Sequence, residues 1–199
     1  MIKANIQQHF SHHKIESFVG DVFIVDYTNQ DKYKKIPNSR GTNLLTKAPV
    51  DEKYLQIQNP NNLGIVGVIF DNKSFIDDST GNTKSQCETC LFPNKSNSKS
   101  WILFAELKYG ANEKNNPDDF QKAKEQLEAT RSYYFDKRVF TKTNTCYFVI
   151  SLPKQEEPFP NFRLTQDELI DLKSDYNIVL RATNFIKVIN DTQLFLGKN

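Results

Sequence analysis

The chain has 199 residues, of which 38% are hydrophobic and 25% charged, with a formal charge of +2. That apolar share, including 15 Phe and 8 Tyr, is enough for a packed core in one domain and excludes a wholly disordered chain. No apolar run reaches the ~18–20 residues of a membrane span. The first residues lack the apolar stretch of a secretory signal, and the 3 Cys are too few for a disulfide scaffold, so a cytoplasmic setting is expected.

Taken in order, Ile2, Ile6, Phe10 and Phe18 recur at multiples of four and predict a helix over residues 2–18, with Glu16 on it. The β-branched and aromatic run around Val22-Phe23-Ile24-Val25 predicts a strand near 18–28. Residues 29–62 read as polar loops with one short element around Tyr54-Leu55-Gln56-Ile57. A strand over 63–70 follows, then a turn at Asp71-Asn72-Lys73-Ser74, then a short strand at Phe75-Ile76 ending in Asp77-Asp78. Residues 79–100 are rich in Ser, Asn and Lys and read as a hairpin or loop excursion, with 87–92 its one ordered piece.

Trp101 to Tyr109 is the clearest strand. Asn116-Pro117-Asp118-Asp119 opens a helix over roughly 117–136, with Asn at the cap, Pro at the first helical position and acids at the positive dipole end. Residues 146–152 form another buried-type strand, and the capping box Thr165-Gln166-Asp167-Glu168 starts a helix to Tyr176. One or two last strands lie at 178–180 and 185–189. The expected fold is α/β, a single domain with a mixed central β-sheet flanked by helices and a core over 63–152. The strand–helix–strand unit at 101–152 is long enough for a parallel, right-handed crossover.

The chemistry sits on the 101–109 strand. Ile102, Phe104, Glu106 and Lys108 share one face, so a carboxylate and an ammonium follow each other where the apolar pattern predicts burial. Burying a charge costs several kcal/mol unless it is paired or binds an ion. A carboxylate there can hold a hard divalent cation, and a lysine two residues on can hold a water or offset phosphate charge. A second carboxylate would come from Asp77 or Asp78. Alternation lets only one of them face Glu106, and Asp78 is preferred. Other acid-x-Lys triplets occur at 51–53, 71–73 and 171–173, but only Glu106-Leu107-Lys108 lies inside an unambiguous strand followed by a well-capped helix.

Asp78, Glu106-Leu107-Lys108 and the helix after them resemble the PD-(D/E)xK nuclease superfamily. The resemblance implies a restriction-endonuclease-like fold and a nuclease using Mg²⁺ or Mn²⁺. Asp78 (or Asp77) and Glu106 would hold the metal, Lys108 would position the water, and Gln126 on the helix would touch the site. Glu16 is similar to a helix carboxylate that some members add. The sequence departs from the pattern in having no Pro before Asp77 or Asp78 and a Thr at position 130. The implied partner is nucleic acid, DNA ahead of RNA, with a homodimer or a partner protein compatible with the small size, and the implied setting is phage defence or DNA repair. The competing reading is a non-catalytic module on the same fold that binds nucleic acid or protein. A third, a small zinc domain, rests on Cys87-x-x-Cys90. The run Lys32-Tyr33-Lys34-Lys35 interleaves an aromatic with cations in the manner of single-strand binders.

Overall fold

The computed structural model describes residues 1–28, 41–160, 162 and 164–198, so Lys32-Tyr33-Lys34-Lys35 lies outside the described residues. The elements run α1 (Ile2–His9), β1 (Lys14–Phe18), β2 (Val22–Asp26), β3 (Thr42–Leu45), β4 (Leu55–Gln58), β5 (Ile65–Ile69), β6 (Thr89–Pro93), β7 (Ile102–Leu107), α2 (Asn116–Asp136), β8 (Cys146–Ser151), α3 (Gln166–Tyr176), β9 (Ile178–Ala182), β10 (Phe185–Val188) and β11 (Leu194–Leu196). The architecture is α/β, with two mixed sheets in place of the one expected. The larger has the order β1-β5-β6-β7-β8-β9 and the smaller β11-β10-β4-β2-β3.

In the larger sheet β1, β5, β6 and β7 are antiparallel neighbours, and β8 and β9 continue parallel to β7. Every residue of β6, β7 and β8 is buried, as their two-sided apolar patterns require of central strands. Helix α2 returns the chain from β7 to β8 and packs on both. Phe104 of β7 meets Tyr134 of α2 at 6.1 Å between ring centroids and Phe148 of β8 at the same distance. The Thr165–Glu168 capping box forms as expected, with α3 against β9.

Three expectations change. The first helix stops at His9, and Glu16 sits on the edge strand β1 opposite Gly67. The reason lies in the next turn. His13 is buried, its Nε2 2.9 Å from the Ser74 carbonyl and its Nδ1 2.9 Å from the Tyr134 hydroxyl. A carbonyl only accepts, so Nε2–H donates to Ser74 and Nδ1 accepts from Tyr134. That anchorage turns the chain before Lys14. Second, residues 89–93 are no excursion but the sheet neighbour of β7. Third, Phe75-Ile76 forms only a single bridge, between Ile76 and Thr83.

The smaller sheet lies against the larger one through β3 and β5. Gly67 permits this approach: a Cβ there would fall 2.3 Å from Leu44 Cδ1 and 3.1 Å from a Phe18 ring carbon. Buried apolar side chains from both sheets join in one cluster, from Ile2 to Leu196.

Candidate active site

The Thr89↔Ala105 register places the residue before Thr89 beside the residue after Ala105. Those residues are Glu88 and Glu106. The Glu88 N–H donates to the Ala105 carbonyl at 3.1 Å, and the Glu88 carbonyl accepts from the Phe70 N–H at 3.1 Å. Its backbone is thus fixed from both flanking strands.

Glu106 is 2% exposed. Its Oε1 accepts from Lys108 Nζ at 2.8 Å, while its buried Oε2 has no hydrogen-bond partner. Lys108 also donates to Gln126 Oε1 of α2 at 2.6 Å. The Gln126 Nε2 donates to the Gln86 carbonyl at 2.9 Å, which fixes the amide's orientation. Glu106, Lys108 and Gln126 are therefore brought together in one hydrogen-bonded group.

Asp77 and Asp78 are not brought to them. Asp77 Oδ1 caps its own turn, accepting from the N–H groups of Ser79 at 2.9 Å and Thr80 at 3.1 Å. The hydroxyl and amide of Ser79 hold its carboxyl below the usual range. Asp78 lines a different cavity, with His9, His12 and Tyr133. The placement of either acid beside Glu106 is corrected for a topological reason: the antiparallel neighbour of β7 is β6, so the acid delivered to Glu106 is the one that precedes β6.

Glu88 is half-buried and opens into a cavity of about 810 Å³ that Lys14, Glu16, Asp26, Lys84 and Gln126 also line. The Thr42 hydroxyl donates to Glu88 Oε2. Asp26 is buried at the end of β2, with Oδ1 accepting from the Thr28 N–H at 2.8 Å. Burial, reinforced by the charges of Glu106 and Asp26, pushes the Glu88 carboxyl up to about 8. Burial pushes Glu106 up to about 7 although the Lys108 ammonium pulls it down. Neither carboxylate is thus fully compensated by positive charge. A site in that state favours protons, or a cation in their place.

Glu88, Asp26 and Thr42 were not among the residues expected at the site. A signal was there: Asp26 closes the apolar run of β2, and Glu88 immediately precedes that of β6.

No protein-family model, curated protein or solved structure matches this chain.

Among the described residues no group of three or more His, Cys, Asp or Glu side chains is placed to hold a metal ion. The pair Glu88 and Glu106 suits a different coordination style. Mg²⁺ takes one or two carboxylates and fills its remaining positions with water and substrate phosphate. The orphaned Oε2 of Glu106 is a donor atom of the right kind. Cys87 and Cys90 are buried thiols whose protons burial holds on, and the Cys87 Sγ–H points at the Thr89 carbonyl at 3.6 Å. They pack in the core. No helix among the described residues is long and apolar enough to cross a membrane.

Proposed function

We propose that this chain is a Mg²⁺- or Mn²⁺-dependent nuclease of the PD-(D/E)xK type, its core formed by β5, β6, β7, α2 and β8. The observation that supports the reading is the divided Glu106 carboxylate. One oxygen is taken by Lys108, the other is buried without a partner, and Glu88 stands alongside. Glu88 and Glu106 are the metal-holding pair in this reading, with Glu88 in the role first given to Asp78. The bound ion would offset phosphate charge and make a water more acidic.

Each side chain then has a task. Lys108 presents its remaining N–H to a water or a phosphate oxygen near Glu106. Gln126 keeps the ammonium at that place. Thr42 orients the Glu88 carboxylate. Lys14 and Lys84 in the same cavity supply charge for backbone phosphates, which need no sequence readout. DNA ranks ahead of RNA as substrate, the compartment is the cytoplasm, and defence or repair is the matching role.

The test is incubation of the purified chain with plasmid DNA and with RNA in Mn²⁺, beside Glu106→Gln and Lys108→Ala. Cleavage by the wild type alone supports the proposal. Binding without cleavage, unchanged in both variants, would instead mark a non-catalytic module.

A further inference from the structure

A second cavity, of about 590 Å³, adjoins the first, and Lys84 lines both. Its walls join aromatic faces to cations. The Tyr133 ring packs on Phe75 at 4.8 Å between centroids, and the Lys84 ammonium lies 5.6 Å from the Tyr133 centroid. Lys73 and Lys137 stand exposed at the rim. The His12 Nε2–H donates to the Ser74 carbonyl at 3.1 Å, which sets that ring in the wall. Asp78 and Asp136 also line the cavity, so it is no uniformly basic patch for duplex phosphates. It sets the Lys84 ammonium beside a π face and adds carboxylate acceptors.

We infer that this cavity receives an unpaired nucleotide of a single-stranded nucleic acid whose backbone crosses Lys84 into the candidate active site. Sequence-tolerant single-strand binding combines cations along the backbone with aromatic rings that stack bases. A base inside a duplex has both faces covered by its neighbours and offers none to Tyr133. The carboxylates of Asp78 and Asp136 can accept from the exocyclic amino groups of a base, whereas facing phosphates they would only repel. The passage of the strand into the candidate active site rests on the nuclease reading; the binding of single strands does not.

The experiment measures fluorescence anisotropy of labelled oligonucleotides of about 12 nucleotides, as single-stranded DNA, single-stranded RNA and blunt duplex, with EDTA present. The wild type should bind at least one single strand more tightly than the duplex. Tyr133→Leu should weaken that binding at least ~5-fold, the loss of one stacked base. Lys137→Gln, on an exposed residue that folding does not need, should weaken it and flatten its salt dependence. Ile170→Ser, at an exposed position of α3, is the control. Equal binding of duplex, no single-strand binding, or unchanged affinity in both cavity variants would overturn the inference. Manganese-dependent cleavage is scored separately. Its absence while Tyr133→Leu still weakens binding sinks the nuclease reading alone, and its presence with unaltered variants sinks this inference alone.

Discussion

The Lys108 ammonium joins a strand to a helix: it donates to Glu106 Oε1 at 2.8 Å and to Gln126 Oε1 at 2.6 Å. The contact ties α2 to β7 at the edge of the cavity, and it leaves Glu106 Oε2 buried with no partner. Removing Gln126 should therefore be felt in two ways. Gln126→Ala takes an acceptor from Lys108 and a donor from the Gln86 carbonyl, at a cost of about 1–3 kcal/mol. Cleavage should fall by about 10–100-fold as Lys108 loses its fixed place. Urea unfolding and a plasmid-nicking assay measure the two effects. A Gln126→Ala protein that cuts at the wild-type rate would remove Lys108 placement from the account.

Glu88→Gln and Glu106→Gln should each lower metal-dependent cleavage at least ~100-fold. Isothermal titration with Mn²⁺ should lose its signal in both. Retained Mn²⁺ binding in Glu88→Gln would show that the acid before β6 is not a ligand.

The raised carboxyl of Glu88 gives the protein a defined response to pH. The unfolded chain releases this proton near the ordinary value of 4.5, while the folded chain keeps it to about 8. The unfolded state then binds fewer protons, so stability falls as pH rises through that window. Every tenfold difference in proton affinity between the two states corresponds to ~1.4 kcal/mol. Because the side chain is only half-buried and opens onto a cavity, the realised loss should be only about 1–2 kcal/mol. Glu88→Gln should match the wild type near pH 4.5 and exceed it by that amount at pH 8. Adding Mg²⁺ should restore the wild type and leave the variant unmoved. Thermal melts across the range decide it.

His13 works in the opposite direction. Burial, only partly offset by the bond to Ser74, keeps its imidazole below the ordinary value of 6.5. The unfolded chain therefore takes up this proton first as pH drops, and stability is lost as pH falls below 6.5. NMR of the His13 ring should show a neutral Nε2–H tautomer that titrates below an ordinary histidine. A His13 resonance titrating above 6.5 would contradict the packing described.

Gly67→Ala tests how the two sheets meet. The new Cβ would lie 2.3 Å from Leu44 Cδ1, and the overpacking should cost about 1–3 kcal/mol. Leu44→Ala added to it should recover part of that loss, as contacting residues couple. Additive destabilisation, measured by denaturant melts, would mean the contact is not the cause.

Much of this protein was legible from its order of residues, because some signals are local. Alternation along 102–107 depends only on neighbours two apart, so the shared face of Glu106 and Lys108 followed from it. The Pro117-Asp118-Asp119 first turn of α2 and the Thr165–Glu168 box are likewise set within one turn of chain, although Asn116, the expected cap, lies inside the helix with its amide bonded to Gln155. Which acid meets Glu106 was not local. It depends on strand order and register between segments with polar connections, and the Ser-, Asn- and Lys-rich stretch around 89–93 disguised the partner strand. The same holds for the second sheet, whose strands of three to five residues are too short to show a period, and for His13, whose burial comes from Ser74 and Tyr134, distant in the chain. Only tertiary packing could place Glu88 where Asp78 had been expected, because pairing across a sheet is decided by what each strand buries against its neighbours.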